Sequence, residues 1–177
     1  NREMGNREGE SSALAQLGDI ALLQGELEEA TGLYVESMDI AREIGNQKVE
    51  LGSLGNLGII HQEQGNLDLA KVVFGNVLDI FREIGDQEGV STALNNLGDI
   101  AHMQGDLAEA EQLLREGLAI KREIGDQQGE VISLIGLGNI ALVNGNMDES
   151  HRFYTEAVRI KREIGSPIQQ WFIDNGY

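Results

Sequence analysis

The chain has 177 residues, 41% of them hydrophobic, and 30 acidic against 13 basic residues give a net charge of −17. That balance denies it the basic face that phosphates demand, so neither nucleic acid nor an anionic membrane is expected as a partner. The absence of cysteine removes disulfides, thiol nucleophiles and thiolate metal sites. No apolar run approaches the roughly 20 residues that cross a bilayer, and no secretory signal pattern is present, which makes cytoplasmic the default localisation.

Residues 1–7 read as the end of a preceding repeat, because Arg2-Glu3-Met4-Gly5 varies a phrase, Arg-Glu-Ile-Gly, that returns at 42–45, 82–85, 122–125 and 162–165. The chain is accordingly read as a piece of a longer protein. A fixed step of 40 residues signals stacked repeats, each unable to bury its apolar face alone. Four units follow, at 8–45, 46–85, 86–125 and 126–165.

The first helix of each unit carries Leu-x-x-Leu-Gly-x-Ile, beginning with Leu14, Leu17, Gly18 and Ile20 and recurring at 54–60, 94–100 and 134–140. A mid-helix Gly costs about 1 kcal/mol relative to Ala. Its return at one phase predicts a helix crossing too close for a side chain. A short turn at 24–25, 64–65, 104–105 and 144–145 leads to the second helix, where Leu27, Ala30, Tyr34, Ala41 and Ile44 fall at helical spacing with Ser37 in the gap. Asn66, Asp106 and Asn146 suit N-caps. Gly45, Gly85, Gly125 and Gly165 suit left-handed C-terminal caps. Arg42, Arg82, Arg122 and Arg162, with Lys121 and Lys161 beside two of them, complement the helix dipole in the last turn and form at most a surface stripe neutralised by Glu43, Glu83, Glu123 and Glu163.

At this point the chain resembles the tetratricopeptide repeat (TPR) family. Leu14, Leu17, Gly18, Ala21, Ala30 and Tyr34 carry the resemblance in the first unit, and Leu94, Leu97, Gly98, Ala101, Ala110 and Leu114 in the third. The usual repeat is about 34 residues long and ends in Pro; here the units are longer and lack that Pro. Such longer units are similar to those of kinesin light chains, Pins-type adaptors, and bacterial regulators and signalling ATPases. The resemblance implies an all-α, right-handed superhelical solenoid of stacked hairpins and a non-catalytic scaffold, part of a regulatory or adaptor protein, that holds a peptide or protein segment in its concave groove. No cofactor or metal is expected.

Carried over by phase, the groove residues are Asp19 and Leu22 in the first unit, and Asn56 and Ile59 in the second. Asn95, Asn96, Asp99 and His102 follow in the third, and Ile135, Asn139 and Leu142 in the fourth. The four Asn side chains both donate and accept, which suits an extended peptide backbone. Ile132, Ile135, Leu142 and Val143 form an apolar patch, and an acidic chain with such a patch points to basic or apolar partners. None of these groove positions is Lys or Arg, so the carboxylate clamp of chaperone-binding relatives is not expected. His61, His102 and His151 lack ligand or triad spacing, and His61 stands where the other units have Ala, which suggests packing.

Residues 166–177 break the repeat. Ser166 and Pro167 open a short helix, and Ile168, Trp171 and Phe172 either cap the last hairpin or dock on another copy. Self-association through repeat ends and this tail, giving a homo-oligomer, is the alternative function.

Overall fold

In a computed structural model the chain is described from residue 2 to residue 176, with the side chains of 2–4, 170 and 171 excepted. Every regular element among the described residues is an α-helix. The order is α1 (Arg2–Gln24), α2 (Leu27–Ile44), α3 (Gln47–Glu63), α4 (Leu67–Ile84), α5 (Gln87–Gln104), α6 (Leu107–Ile124), α7 (Gln127–Val143), α8 (Met147–Glu163) and a short α9 (Gln170–Asp174).

The punctuation explains the boundaries. Val49 N–H donates to Asn46 Oδ1 (3.2 Å), Gly89 N–H to Asp86 Oδ1 (3.0 Å), Glu109 N–H to Asp106 Oδ1 (3.0 Å), Gly129 N–H to Asp126 Oδ1 (2.8 Å) and Glu149 N–H to Asn146 Oδ1 (3.4 Å), so side chains satisfy one orphan donor at these five helix starts. Gly45 and Gly125 end α2 and α6 at φ 70° and 73°, a region costly for any residue with a Cβ.

The Leu-Gly sites mark the tight crossings. A Cβ at Gly18 would stand 2.7 Å from the Tyr34 ring, and one at Gly138 2.5 Å from the Tyr154 ring. At Gly58 and Gly98 it would meet Phe74 and Leu114, each at 2.9 Å. Each crossing brings the first helix of a hairpin onto the large side chain that its partner helix presents.

Contacts divide the chain into two compact units, 1–77 and 78–177, the division falling within α4. In the first, α1 packs on α2 and α2 on α3, and Ala21, Ala30, Tyr34 and Ile60 form a buried core flanked by Leu22, Leu27, Leu33 and Leu57. In the second, α5–α6 and α7–α8 form hairpins with α6 packed on α7. Its core runs through Ala110, Leu114, Leu118, Val131, Leu134, Leu137 and Ile140. Neighbouring first helices also touch, α1 with α3 and α5 with α7.

At the N-terminal side, residues 2–7 are continuous with the first unit's helix, since α1 runs unbroken from Arg2 to Gln24. The tail also resolves in part. Phe172 is buried edge-on against Tyr154, ring centroids 5.5 Å apart, and Ile168 packs on the same small core with Val158, so both close over their own chain. The Trp171 side chain lies outside the described residues.

Candidate functional site

The groove-phase residues fall into two sets, one in each unit. In the first unit Asp19 is the hub. Its Oδ1 accepts from Tyr34 Oη (2.7 Å) and from Asn56 Nδ2 (3.0 Å), which ties the exposed faces of α1 and α3 to the core tyrosine beneath them. Burial, and then the Asp19 carboxylate, raise the Tyr34 pKa above that of a free phenol, so the hydroxyl remains a donor. Ile59 is half-buried on α3, and Leu22 is half-buried as a flank of the core.

The second unit repeats the device. Tyr154 Oη donates to Asn139 Oδ1 (2.6 Å), leaving the exposed Asn139 carboxamide fixed by its oxygen with its nitrogen as the donor end. Tyr is paired with a polar residue fifteen positions earlier in both cases. In the intervening hairpins the partners are Phe74 with Ile59 and Leu114 with Asp99.

Asp99 reaches solvent, but it stands over a crowded stretch. The hydration it loses raises its pKa, against the opposing pull of His102 and Lys121. Asn96 and His102 are half-buried on the same helix. Of the apolar patch, Ile132, Leu142 and Val143 are exposed, at 55%, 40% and 63%, whereas Ile135 is half-buried as a wall of the core.

Asn95 requires a correction. It is only 5% exposed, set between helices at the wall of a cavity rather than on an open helix face. Gly117 on α6 makes the room, since a Cβ there would stand 2.7 Å from Asn95 Oδ1. That oxygen accepts from Ser133 Oγ on α7 (3.0 Å), and Asn95 Nδ2 is buried without a partner.

Lys121 and Lys161 are corrected as well: both are buried and neither belongs to a surface stripe. Lys121 Nζ donates to Ser133 Oγ (3.2 Å), and Lys161 Nζ to the Pro167 carbonyl (2.9 Å). Burial lowers the Lys121 pKa to about 8, against the opposing pull of Asp126 and Asp99.

Lys121 therefore meets the α5 face that the sequence reading left without a cation. Together with Thr92, Asn95, Asn96, Gln128 and Ile132 it lines a cavity of about 220 Å³. The signal was present in the sequence: a Lys stands where the equivalent residues are Ala41 and Phe81, and Gly129 follows where the first unit has Val49. A Cβ at Gly129 would run into the Lys121 stem and the Asp126 carboxylate.

Helical hairpins repeated at a fixed period, with a glycine at each crossing, are the plan of a TPR-class repeat protein. A family model of a MalT-like TPR region matches residues 7–173, and the chain belongs to that family. No match was found among curated proteins.

Solved structures share the fold at low identity. BtubC from P. vanneervenii matches with a TM-score of 0.73 at 18% identity, over 90% of this chain and 66% of that one. Aspartyl phosphate phosphatase F from Bacillus subtilis matches with a TM-score of 0.82 at 11% identity, over 90% of this chain and 42% of that one. The Rap conjugation gene regulator of the plasmid pLS20, solved in complex with the Phr* peptide, matches with a TM-score of 0.80 at 17% identity, over 89% and 43%. The chain thus spans between 42% and 66% of the length of these proteins.

Proposed function

We propose that this chain is a non-catalytic interaction module that holds an extended peptide, or an extended segment of a protein, along the exposed faces of the first helices within a unit. The observation that carries the reading is the pinning of groove-side polar groups by core tyrosines, Tyr34 to Asp19 and Tyr154 to Asn139. A surface carboxamide held in one orientation has lost its rotamer entropy before a ligand arrives, and that pre-organisation lowers the cost of binding. Asn96 and His102 on α5 and the exposed Ile132 and Leu142 on α7 supply further polar and apolar contacts on one side of the second unit. The peptide held by the pLS20 regulator, a protein of the same fold, supports the same class of ligand.

Selection of displayed random 12-residue peptides on the purified chain tests this. Enriched peptides are expected to bind Asn139→Ala and Asn96→Ala at least tenfold more weakly than wild type. Enrichment of none, or of peptides indifferent to both substitutions, overturns the reading.

One observation favours self-association as a second reading. Leu17 and Ile20 on α1 are each 51% exposed, whereas their equivalents Leu97, Ile100, Leu137 and Ile140 are all buried. An apolar flank of this kind suits an apolar face on a second copy. A mass that stays monomeric by light scattering up to high concentration, and is unchanged in Leu17→Glu, removes it.

A further inference from the structure

The second unit holds two buried hydrogen-bond donors with spare capacity at one place. Asn95 Nδ2 has no partner, and the Lys121 ammonium, which carries three protons, makes one hydrogen bond, to Ser133 Oγ. Both residues are more than nine-tenths buried, and both line the cavity of about 220 Å³ between α5, the end of α6 and the start of α7. A buried polar group without a partner is costly, so its persistence at the wall of an opening calls for an acceptor. The opening is smaller than the roughly 300 Å³ at which pockets for drug-sized ligands begin, and is sized for a single side chain or peptide unit.

Charge selects the kind of acceptor. The groups that face Lys121 are Asp99 on α5, with His102 beside it, and Asp126 at the N-cap of α7. One ammonium is thus set against two carboxylates, and neither carboxylate takes the ammonium as an ion-pair partner. An incoming anion would meet a net negative neighbourhood, whereas a neutral oxygen would not.

The chain supplies its own example of the preferred acceptor. Lys161 stands one repeat after Lys121, and its Nζ donates to the carbonyl of Pro167 at 2.9 Å. That carbonyl belongs to the non-helical segment 166–169, whose Ile168 packs on the Tyr154 core. A lysine at this phase therefore already holds a non-helical stretch by a peptide oxygen.

We infer that Asn95 and Lys121 form a seat for an amide carbonyl oxygen, supplied by the backbone of a docked peptide or by the side chain of its Asn or Gln. The seat deepens the proposed peptide-binding role and rests on it. Asn95 Nδ2 and the Lys121 ammonium are the donors that would take the oxygen, and Thr92, Asn96 and Gln128 share the cavity wall with the Asp126 carboxylate. Ile132 supplies an apolar edge for the aliphatic part of the ligand.

The test is a nuclear magnetic resonance titration of the whole chain with three capped residues: N-acetyl-alanine, N-acetyl-glutamine and N-acetyl-glutamate methylamides. The Asn95 side-chain amide and the Lys121 ε-methylene report on the seat, and the Asn96, His102 and Asn139 signals report on the rest of the groove. Saturable shifts at Asn95 and Lys121 with the alanine and glutamine compounds alike identify a backbone oxygen. Shifts with glutamine alone identify a side-chain carboxamide. In either case Lys121→Met is expected to weaken binding at least fivefold.

The seat is overturned if the Asn95 and Lys121 signals stay still for all three compounds, if the glutamate compound binds best, or if binding survives unchanged in Lys121→Met. Shifts confined to Asn96, His102 and Asn139 sink the seat and leave the groove standing. Failure of the peptide selection with shifts intact at Asn95 and Lys121 does the reverse.

Discussion

Two seams at the same phase of the repeat, one in each unit, solve the same packing problem differently. In the first unit, Ser37 Oγ donates to the Ser11 carbonyl (2.8 Å) and Ser53 Oγ donates to Ser37 Oγ (3.1 Å). Three small residues thus close a buried chain of hydrogen bonds. In the second unit Gly117 replaces Ser37, the space it frees is filled by Asn95, and Ser133, the counterpart of Ser53, stands between Asn95 and Lys121. The first seam is closed and the second keeps donors in reserve. A repeat scaffold thus changes from a closed polar seam to one with spare donors by exchanging residues at two or three phases, without touching the Leu-Gly crossings.

The largest effect is expected at the serine both seams share. Ser133→Ala leaves the Lys121 ammonium without its acceptor and Asn95 Oδ1 without its donor, a loss of about 2–3 kcal/mol for stranding a buried charged group. Ser53→Ala leaves Ser37 bonded to Ser11 and is expected to lose only about 0.5–1 kcal/mol. Urea unfolding gives the sizes, and hydrogen exchange in α3 and α7 assigns each to its own unit. Equal losses would show that the two seams are not different in kind.

Next in size is Gly117→Ala. Its Cβ would lie 2.7 Å from Asn95 Oδ1 and 3.2 Å from the Ser91 carbonyl. Overpacking costs about 1–3 kcal/mol and the better helix propensity of Ala returns part of it, so a net loss of about 1–2 kcal/mol is expected. Asn95→Ala should recover more than half of that loss, because it removes the nearer of the two obstructions. A double-mutant cycle that shows no coupling would mean that Gly117 is not there to admit Asn95.

Lys121→Met should be a milder change and in the opposite direction. Folding lowers the lysine pKa from 10.5 to about 8, so between those values the unfolded chain binds the proton and the folded one does not. The unfolded state therefore holds more protons in that window, and wild-type stability rises with pH through it. Below pH 8 the folded state bears the whole cost of a buried ammonium. The full shift corresponds to about 3 kcal/mol, and solvent at the mouth of the cavity screens it to about 1–2 kcal/mol. Lys121→Met is thus expected to be the more stable protein at pH 7 by that amount, its advantage fading between pH 8 and 10.5. A constant difference across that range would show that the lysine is ordinarily hydrated.

Much of this was legible in the sequence, because a period that repeats four times lets each position be checked against three others. The Leu-Gly crossings, the left-handed glycines and the helical-hairpin plan followed from phase alone, and the TPR resemblance is confirmed by the match over residues 7–173. The phase puts Asn139 on an outward helix face, where the structure shows it exposed and bonded to Tyr154. Asn95 and Lys121 were misread for one reason. Whether a side chain turns outward or inward at a helix edge depends on the volume left by another helix, here at Gly117 and Gly129. Periodicity along one helix does not contain that volume. Comparing partners across the repeat does: small Ala41 is followed by Val49, while large Phe81 and Lys121 are followed by Gly89 and Gly129.

The smallest effect is expected where the second unit looks most strongly tied together. Arg82 bonds Glu116 at 2.9 Å, Arg115 bonds Glu149 at 2.7 Å and Arg122 bonds Glu156 at 2.8 Å, each pair 34 residues apart, so that one hairpin is bridged to the next. All six side chains are well exposed, and the gain from such a pair is largely cancelled by hydration and side-chain entropy. Arg122→Ala should therefore lose less than about 0.5 kcal/mol, and that loss should vanish in 1 M salt, where charges are screened within about 3 Å. The buried Ser133 contacts are neither screened nor hydrated and should lose their full amount at any ionic strength. If high salt erased the Ser133→Ala effect but spared that of Arg122→Ala, the surface ladder rather than the seam would be what joins successive hairpins.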